Sequence, residues 1–459
     1  MDRWLHLICQ ELNSLVPPRP VREHARATGF IERHCHIDAT PFLWTFLVGT
    51  TQDNGSVATV RDLYKVFTGD EVAYSSIQQW IKPELIDLLV DLVDYVSVEL
   101  GRTESSLGGR YSRFRDVLIP DATICTLSPE SVEDFPGFGD DHAGAKLHLV
   151  ESLASVAPFL DTITDARTQE TTQLEIGEWI EDTLAMFDLG YLDYDRLGNI
   201  NDNNGWFVCR LNADANPRVI DEPRTLRGNS IDLEGTHLQE VLPDLHRQTL
   251  DVTATVGADQ DDPHLPYDIR VIGVRHEGDE DVPAYRDDVD ADHEYHIYAT
   301  NLPREEFAPR EIAALYSNRW SIETVIQQCK EVFNLEEIPV RREVAVECFL
   351  LTPLLMLLLS RYLLRQVRAR LGPASPESVE EATDVQPTRF SQRLQRFSGK
   401  LLETMAKRLG YPGDDVGLVI LEGAIDPNVG RHALTERVAH GTVDPNLTND
   451  SELATIRPG

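Results

Sequence analysis

The stretch LYSNRWSIETVIQQCKEVFNL, Leu315 to Leu335, decides how the rest of the chain is read. Taken as one α-helix advancing ~100° per residue, it puts Arg319 at roughly 300°, Glu323 at roughly 340° and Lys330 at roughly 320° from Tyr316, an arc of about 60°. Ile322, Val325, Cys329, Val332 and Phe333 fall on the opposite side and supply a core face. Charges commonly share the solvated face of a helix, so this pattern alone also fits a plain surface helix. Two features favour a working face. Lys330 is one of only six lysines (Lys65, Lys82, Lys146, Lys330, Lys400, Lys407), and Trp320 sits beside it away from the buried side.

Scarce lysine accompanies a formal net charge of -35 over 459 residues. Such self-repulsion is tolerable where molar salt shortens the Debye length to ~3 Å, so the composition points to the cytoplasm of a halophile. At low salt this charge would argue against a nucleic-acid partner; at high salt, DNA contacts would rest on local Arg and Lys clusters, stacking and metal bridges. With 41% hydrophobic residues the chain has ample material for a core. Cys9, Cys35, Cys125, Cys209, Cys329 and Cys348 form no CxxC pair, and the spacing of His34 and His36 is too tight for half of a usual zinc site. The run FLLTPLLMLLLSRYLL from Phe349 is shorter than a membrane span needs and contains Pro353, so it reads as a buried helix rather than a membrane segment.

The predicted fold class is α/β. Residues 1–110 have helical spacing and form either a helical domain with a DNA-reading helix pair or a plain bundle. Strand-like runs then follow at DVLIPDATICTL, AKLHLVESL and FLDTITDA, a helix is expected near LEIGEWIEDT, and LAMFDLGY and GWFVCRLN flank a further helix. Residues 217–302 read as a β-rich insertion holding TLDVTATV, YDIRVIGVRH and EYHIYATNL between acidic loops. Residues 303–372 return to helices, and 373–459 hold a charged linker, the basic helical piece around Arg389 to Leu409, and a tail.

Two aspartates close apolar runs: Asp121 in IPDATICTL and Asp188 in AMFDLGY, where Gly190 permits a tight exit. A lone Asp at a strand end is usually a turn or cap residue. Two of them with a helical Glu can instead offer hard oxygen ligands to Mg²⁺, leaving positions for water and phosphate. Two such ions can activate the attacking oxygen and stabilise the leaving one in phosphodiester chemistry.

The spacing Tyr-x2-Arg-x3-Glu-x6-Lys, preceded by YATNLP and EIAALY and followed by an apolar helix, resembles the cut-and-paste DDE transposases of bacterial and archaeal insertion sequences. The subgroup it resembles is the one named for Tyr, Arg, Glu and Lys. PDATI with KLHL, and DLGY with GWFVCRL, extend the resemblance over about Arg110 to Leu364. It implies an RNase H-like mixed sheet with flanking helices, interrupted by the β-rich insertion. Asp121, Asp188 and Glu323 would be the catalytic metal ligands for two Mg²⁺ ions, with Mn²⁺ able to substitute. Tyr316, Arg319 and Lys330 match the positions that hold phosphates of the element end, Trp320 the aromatic near a displaced base, and Arg210 a DNA-touching residue after the fifth strand. The partners implied are double-stranded DNA, as terminal inverted repeats and as target, and a second copy of the chain in the DNA complex, with the helix around Arg389 to Leu409 as a dimer contact. Leu189 and the VIQQCK segment depart from the pattern: relatives often carry a basic or small residue at the first and an aromatic before the Lys in the second. The rival expectations are an RNase H-like nuclease that cuts without joining and a silent, DNA-binding relic.

Overall fold

The structure is a computed structural model describing residues 3–31, 38–52, 55–68, 72–102, 107–139, 142–155, 157–211, 216–222, 225–226, 229–230, 233–242, 245, 247–256, 267–275, 295–336, 338–371 and 385–408. His34 to His36, both acidic loops of the β-rich region, most of the charged linker and the tail after Asp426 lie outside these residues.

Six helices lead the chain: α1 (Arg3–Leu15), α2 (Pro18–Ala27), α3 (Ala39–Thr51), α4 (Val57–Thr68), α5 (Tyr74–Trp80) and α6 (Pro83–Gly101). Their starts carry ordinary signals. Pro18 and Pro83 occupy first-turn positions that need no amide donor, and the Asp38 side chain caps α3 by accepting from the Thr40 amide at 3.1 Å. Leu85, Leu88, Leu89, Leu92, Val93 and Val96 recur at helical spacing as the buried stripe of α6.

The sheet then forms from β1 (Asp116–Leu127), β2 (Ala143–Ser152), β3 (Ala157–Asp165), β4 (Thr183–Phe187), β5 (Trp206–Arg210), β6 (Arg218–Asp221), β9 (Thr249–Val256), β10 (Tyr267–Arg275) and β11 (Tyr295–Thr300); β7 (Thr225–Leu226) and β8 (Asn229–Ser230) make a separate two-stranded pair. Its order is β3-β2-β1-β4-β5-β11-β10-β9-β6. The pairings β1–β4 and β4–β5 are parallel, and the others in this sheet are antiparallel. The strands expected between residues 217 and 302 thus extend the same sheet, because Tyr298 of β11 pairs with Arg210 of β5. Helix α7 (Tyr194–Asp202) connects β4 to β5, and α8 (Leu238–Val241) precedes β9.

Three local expectations are corrected. The segment near LEIGEWIEDT is not an α-helix but a single 3₁₀ turn, Glu178–Ile180, where Gly177 and scattered apolar residues sustain no helical stripe. Asp121 does not end its strand: β1 runs on to Leu127, with Asp121 opposite Leu149. The registered pairs between β1 and β4 run only to Leu118↔Ala185, so Pro120, which has no amide donor, lies beyond them.

The stretch from Leu315 to Leu335 is likewise not one helix. It comprises the end of α9 (Pro309–Tyr316), a 3₁₀ turn (Ser317–Arg319) and α10 (Trp320–Phe333). Asn334, at φ 58°, ends α10 in the left-handed conformation that Asn tolerates. Helix α11 (Glu343–Leu371) follows, then α12 (Pro387–Arg396) and α13 (Ser398–Lys407). By length and composition α11 could cross a membrane, yet 83% of its most apolar window is buried inside the fold. Its leucines share one core with α1, α3, α6 and α10, and the buried Phe390, Leu394, Leu401 and Leu402 of the basic C-terminal piece join them. The apolar face of that piece is therefore covered within the chain.

Candidate active site

The three acids arrive from three different elements. Asp121 lies inside β1 and accepts from the Ala122 amide at 2.8 Å. Asp188 follows β4 directly and caps a short 3₁₀ turn, Leu189–Tyr191, by accepting from the Leu189 amide at 2.8 Å. Its cap role is real and leaves carboxylate lone pairs to spare. Glu323 stands in the first turn of α10, whose positive end favours an acid.

Arg319 joins two of them. Its Nη2 donates to Glu323 Oε1 at 2.7 Å, and its Nη1 is 3.6 Å from Asp188 Oδ2. The guanidinium is buried; that burial pulls its pKa down, but Tyr316, Asp188, Glu323 and Asp121 outweigh it and leave the group raised and charged. Tyr316, also buried, donates its hydroxyl to the Phe187 carbonyl at 3.1 Å and approaches Asp188 Oδ1 at 3.5 Å. Burial, first, raises the Tyr316 phenol and keeps it a donor.

Asp121 and Glu323 line a cavity of about 320 Å³ together with Ile326, Gln327, Lys330, Glu331 and Glu336. Burial pushes the Asp121 carboxyl up to about 7; the Ala122 amide and Arg319 oppose this, whereas the charges of Asp188 and Glu323 add to it. Lys330 Nζ lies 3.0 Å from Glu336 Oε1. Trp320 is 45% exposed at the start of α10, and Arg210, at the end of β5, partly opposes the rise that burial gives the Tyr316 and Tyr298 phenols.

Carboxylate oxygens are the donors that Mg²⁺ and Mn²⁺ prefer, and a half-buried Asp that feels the charges of two further acids is short of positive charge. In donor chemistry the residues fit such an ion. Among the described residues, however, no three Asp, Glu, His or Cys side chains converge as a ligand group; the Arg319 guanidinium holds Asp188 and Glu323 instead.

Residues 112–359, more than half of the chain, match the family described as the transposase DDE domain. The chain belongs to that family. The DDE domain so delimited contains all eight residues singled out from the sequence, from Asp121 to Lys330. The chain is also similar to the transposase for insertion sequence element IS231F from Bacillus thuringiensis subsp. israelensis, 22% identical over 296 residues that make up 59% of this chain and 61% of that protein. A piggyBac transposase in a synaptic complex with hairpin DNA is similar at a TM-score of 0.39 and 10% identity, covering 90% of this chain and 83% of that one.

Within the DDE domain, Tyr316, Arg319, Asp188 and Glu323 form one bonded chain of side chains, and Asp121, Glu323 and Lys330 share the cavity. Trp320 and Arg210 are not among the residues lining that cavity. The sequence reading missed Gln327, Glu331 and Glu336. The first two stand four and eight residues after Glu323 on the same helix, a spacing that signals a shared face. Glu336 lies past the helix end, where periodicity carries no signal.

Proposed function

We propose that this chain is a cut-and-paste DNA transposase that cleaves strands at the element ends and passes the freed 3′ hydroxyl to target DNA. The observation that carries the reading is the joint placement of Asp121, Glu323 and Lys330 around one cavity, with Arg319 tying Asp188 to Glu323, inside a transposase DDE domain.

In this reading Asp121, Asp188 and Glu323 hold two divalent ions, Mg²⁺ or Mn²⁺. When bound, these ions supply activation of the attacking oxygen and neutralisation of charge on the leaving one. Arg319 then exchanges its carboxylate partners for a phosphate of the element end, which accepts the same forked donors. Lys330 binds a neighbouring phosphate as a point charge. Tyr316 keeps Asp188 oriented, exposed Trp320 offers a face to an unstacked base, and Arg210 extends the positive track.

Strands β1 to β5 act as an RNase H-like core, and β6 to β11 as the β-rich insertion before the Glu-bearing helix. The N-terminal helices recognise the element ends, and two copies of the chain hold one end each. A salt-rich cytoplasm is the setting that the net charge of -35 supports.

The test is a plasmid carrying the native flanks of the gene, incubated with purified protein in molar KCl with Mg²⁺ or EDTA. Metal-dependent excision and rejoining, lost in Asp188→Asn, supports the transposase. Cutting without joined products favours the nuclease, and binding without cutting favours the relic.

A further inference from the structure

Two residues before Glu323 and two after Arg319, Ser321 donates its hydroxyl to Oε2 of Glu151. The other oxygen, Oε1, lies 3.2 Å from Arg361 Nη1 of α11. Glu151 is 2% exposed on β2, so an acid has been taken out of water between the sheet and two helices.

Its place in the register is what matters. On β2, Leu149 lies opposite Asp121 and Glu151 lies opposite Ile119. Residues two apart on a strand share a face, so Glu151 projects from the face that carries Asp121. One carboxylate therefore connects the strand pair bearing the first acid to the helix bearing the third. Helix α10 buries Ile322, Val325 and Cys329 in the core, but it has no side-chain N-cap and issues straight from a 3₁₀ turn, so no capping bond fixes its first turn. A carboxylate beside its first turn also suits the positive end of the helix.

A buried ion pair is not needed for stability alone, since an apolar pair of similar volume commonly serves as well. The link to Ser321 is what an apolar pair could not supply. We propose that Glu151 is a positioning residue that sets the rotation of α10, and so aims Glu323 toward Asp121. This inference rests on the reading that the two acids act together on DNA.

The experiment uses the full chain in molar KCl, as wild type, Ser321→Ala, Ser321→Thr, and the double variant Glu151→Met with Arg361→Met. Amide hydrogen exchange is followed in peptides from α10 and, as an internal standard, from β9 and β10; single-turnover cleavage and DNA affinity are measured in parallel. Losing one hydrogen bond should speed exchange in the first turns of α10 about fivefold, in Ser321→Ala and in the double variant, with β9 and β10 unchanged. Ser321→Thr, which keeps the hydroxyl, should behave as wild type. Cleavage at saturating DNA should fall about 10²-fold, as expected for a displacement near 1 Å, with DNA affinity unchanged. Wild-type exchange of α10 in both altered proteins, or equal acceleration in β9 and β10, would overturn the proposal. If the wild type cuts no DNA, the functional reading fails and the exchange comparison alone decides the role of Glu151.

Discussion

Arg319 donates to Glu323 at 2.7 Å across one helical turn while its other terminal nitrogen lies 3.6 Å from Asp188. One guanidinium thus serves as the shared counter-ion of two candidate metal ligands that would otherwise repel each other. Replacing it with Gln leaves both acids uncompensated, and a loss of roughly 1–3 kcal/mol is expected after discounting for their partial exposure. Thermal unfolding in EDTA should show Arg319→Gln below wild type, and added Mn²⁺ should narrow the gap. A gap that metal leaves unchanged would mean that Arg319 and the cation do not serve the same carboxylates.

The Tyr316 hydroxyl spans the Phe187 carbonyl and Asp188, while its ring packs 5.1 Å from that of Tyr298. Tyr316→Phe keeps the ring and removes the bonds, so stability should fall by about 1 kcal/mol. Cleavage should drop at least tenfold with DNA affinity intact. The opposite split, weaker DNA binding with an unchanged cleavage rate, would place the hydroxyl on phosphate rather than on Asp188.

Lys330 is held by Glu336, a residue whose side chain is 62% exposed. Glu336→Gln should release the ammonium and tighten DNA binding a few-fold in low salt, with the difference vanishing in molar KCl. Lys330→Gln should weaken binding and lower the slope of log affinity against log salt by about one. Fluorescence anisotropy across a salt series measures both. Equal slopes for wild type and Lys330→Gln would remove this lysine from the DNA contact.

His148 is buried on β2, 3.0 Å from the Thr164 hydroxyl. Burial, and secondarily Lys146, lowers its pKa from the ordinary 6.5 to about 4. The folded chain therefore binds fewer protons than the unfolded chain between these values, so the contribution of His148 is present above pH 6.5 and is lost as pH falls toward 4. Urea unfolding at pH 7.5, 6 and 4.5 should show a decline that His148→Gln flattens. An identical decline in the variant would assign it to other groups.

Much of the architecture was legible because burial imposes periodicity. The apolar run VLIP and the alternation from Thr123 to Leu127 in DVLIPDATICTL, with the apolar runs of α6 and α11, mark their elements directly. What escaped was set by tertiary pairing. Asp121 looked terminal because Pro120 and Asp121 interrupt the apolar run, yet cross-strand bonds to β2 carry β1 six residues further. The break between Tyr316 and Trp320 has no Gly or Pro to announce it; Asn318 instead turns its side-chain amide back onto the Ala314 and Leu315 carbonyls. The three acids were singled out by chemical type, order in the chain and the resemblance to DDE transposases. Arg319 as their counter-ion and Glu151 as the tie beneath α10 depend on distances that no spacing rule contains.

If Asp121, Asp188 and Glu323 together direct metal-dependent cleavage of DNA, removing the Glu323 carboxylate must stop the cut without releasing the DNA. The most direct test is single-turnover cleavage of a DNA carrying the element end, by wild type and Glu323→Gln at matched DNA occupancy in molar KCl with Mg²⁺. The expected result is cleavage by the wild type that EDTA abolishes, and none by Glu323→Gln despite undiminished DNA binding. Cleavage by Glu323→Gln at the wild-type rate would contradict it.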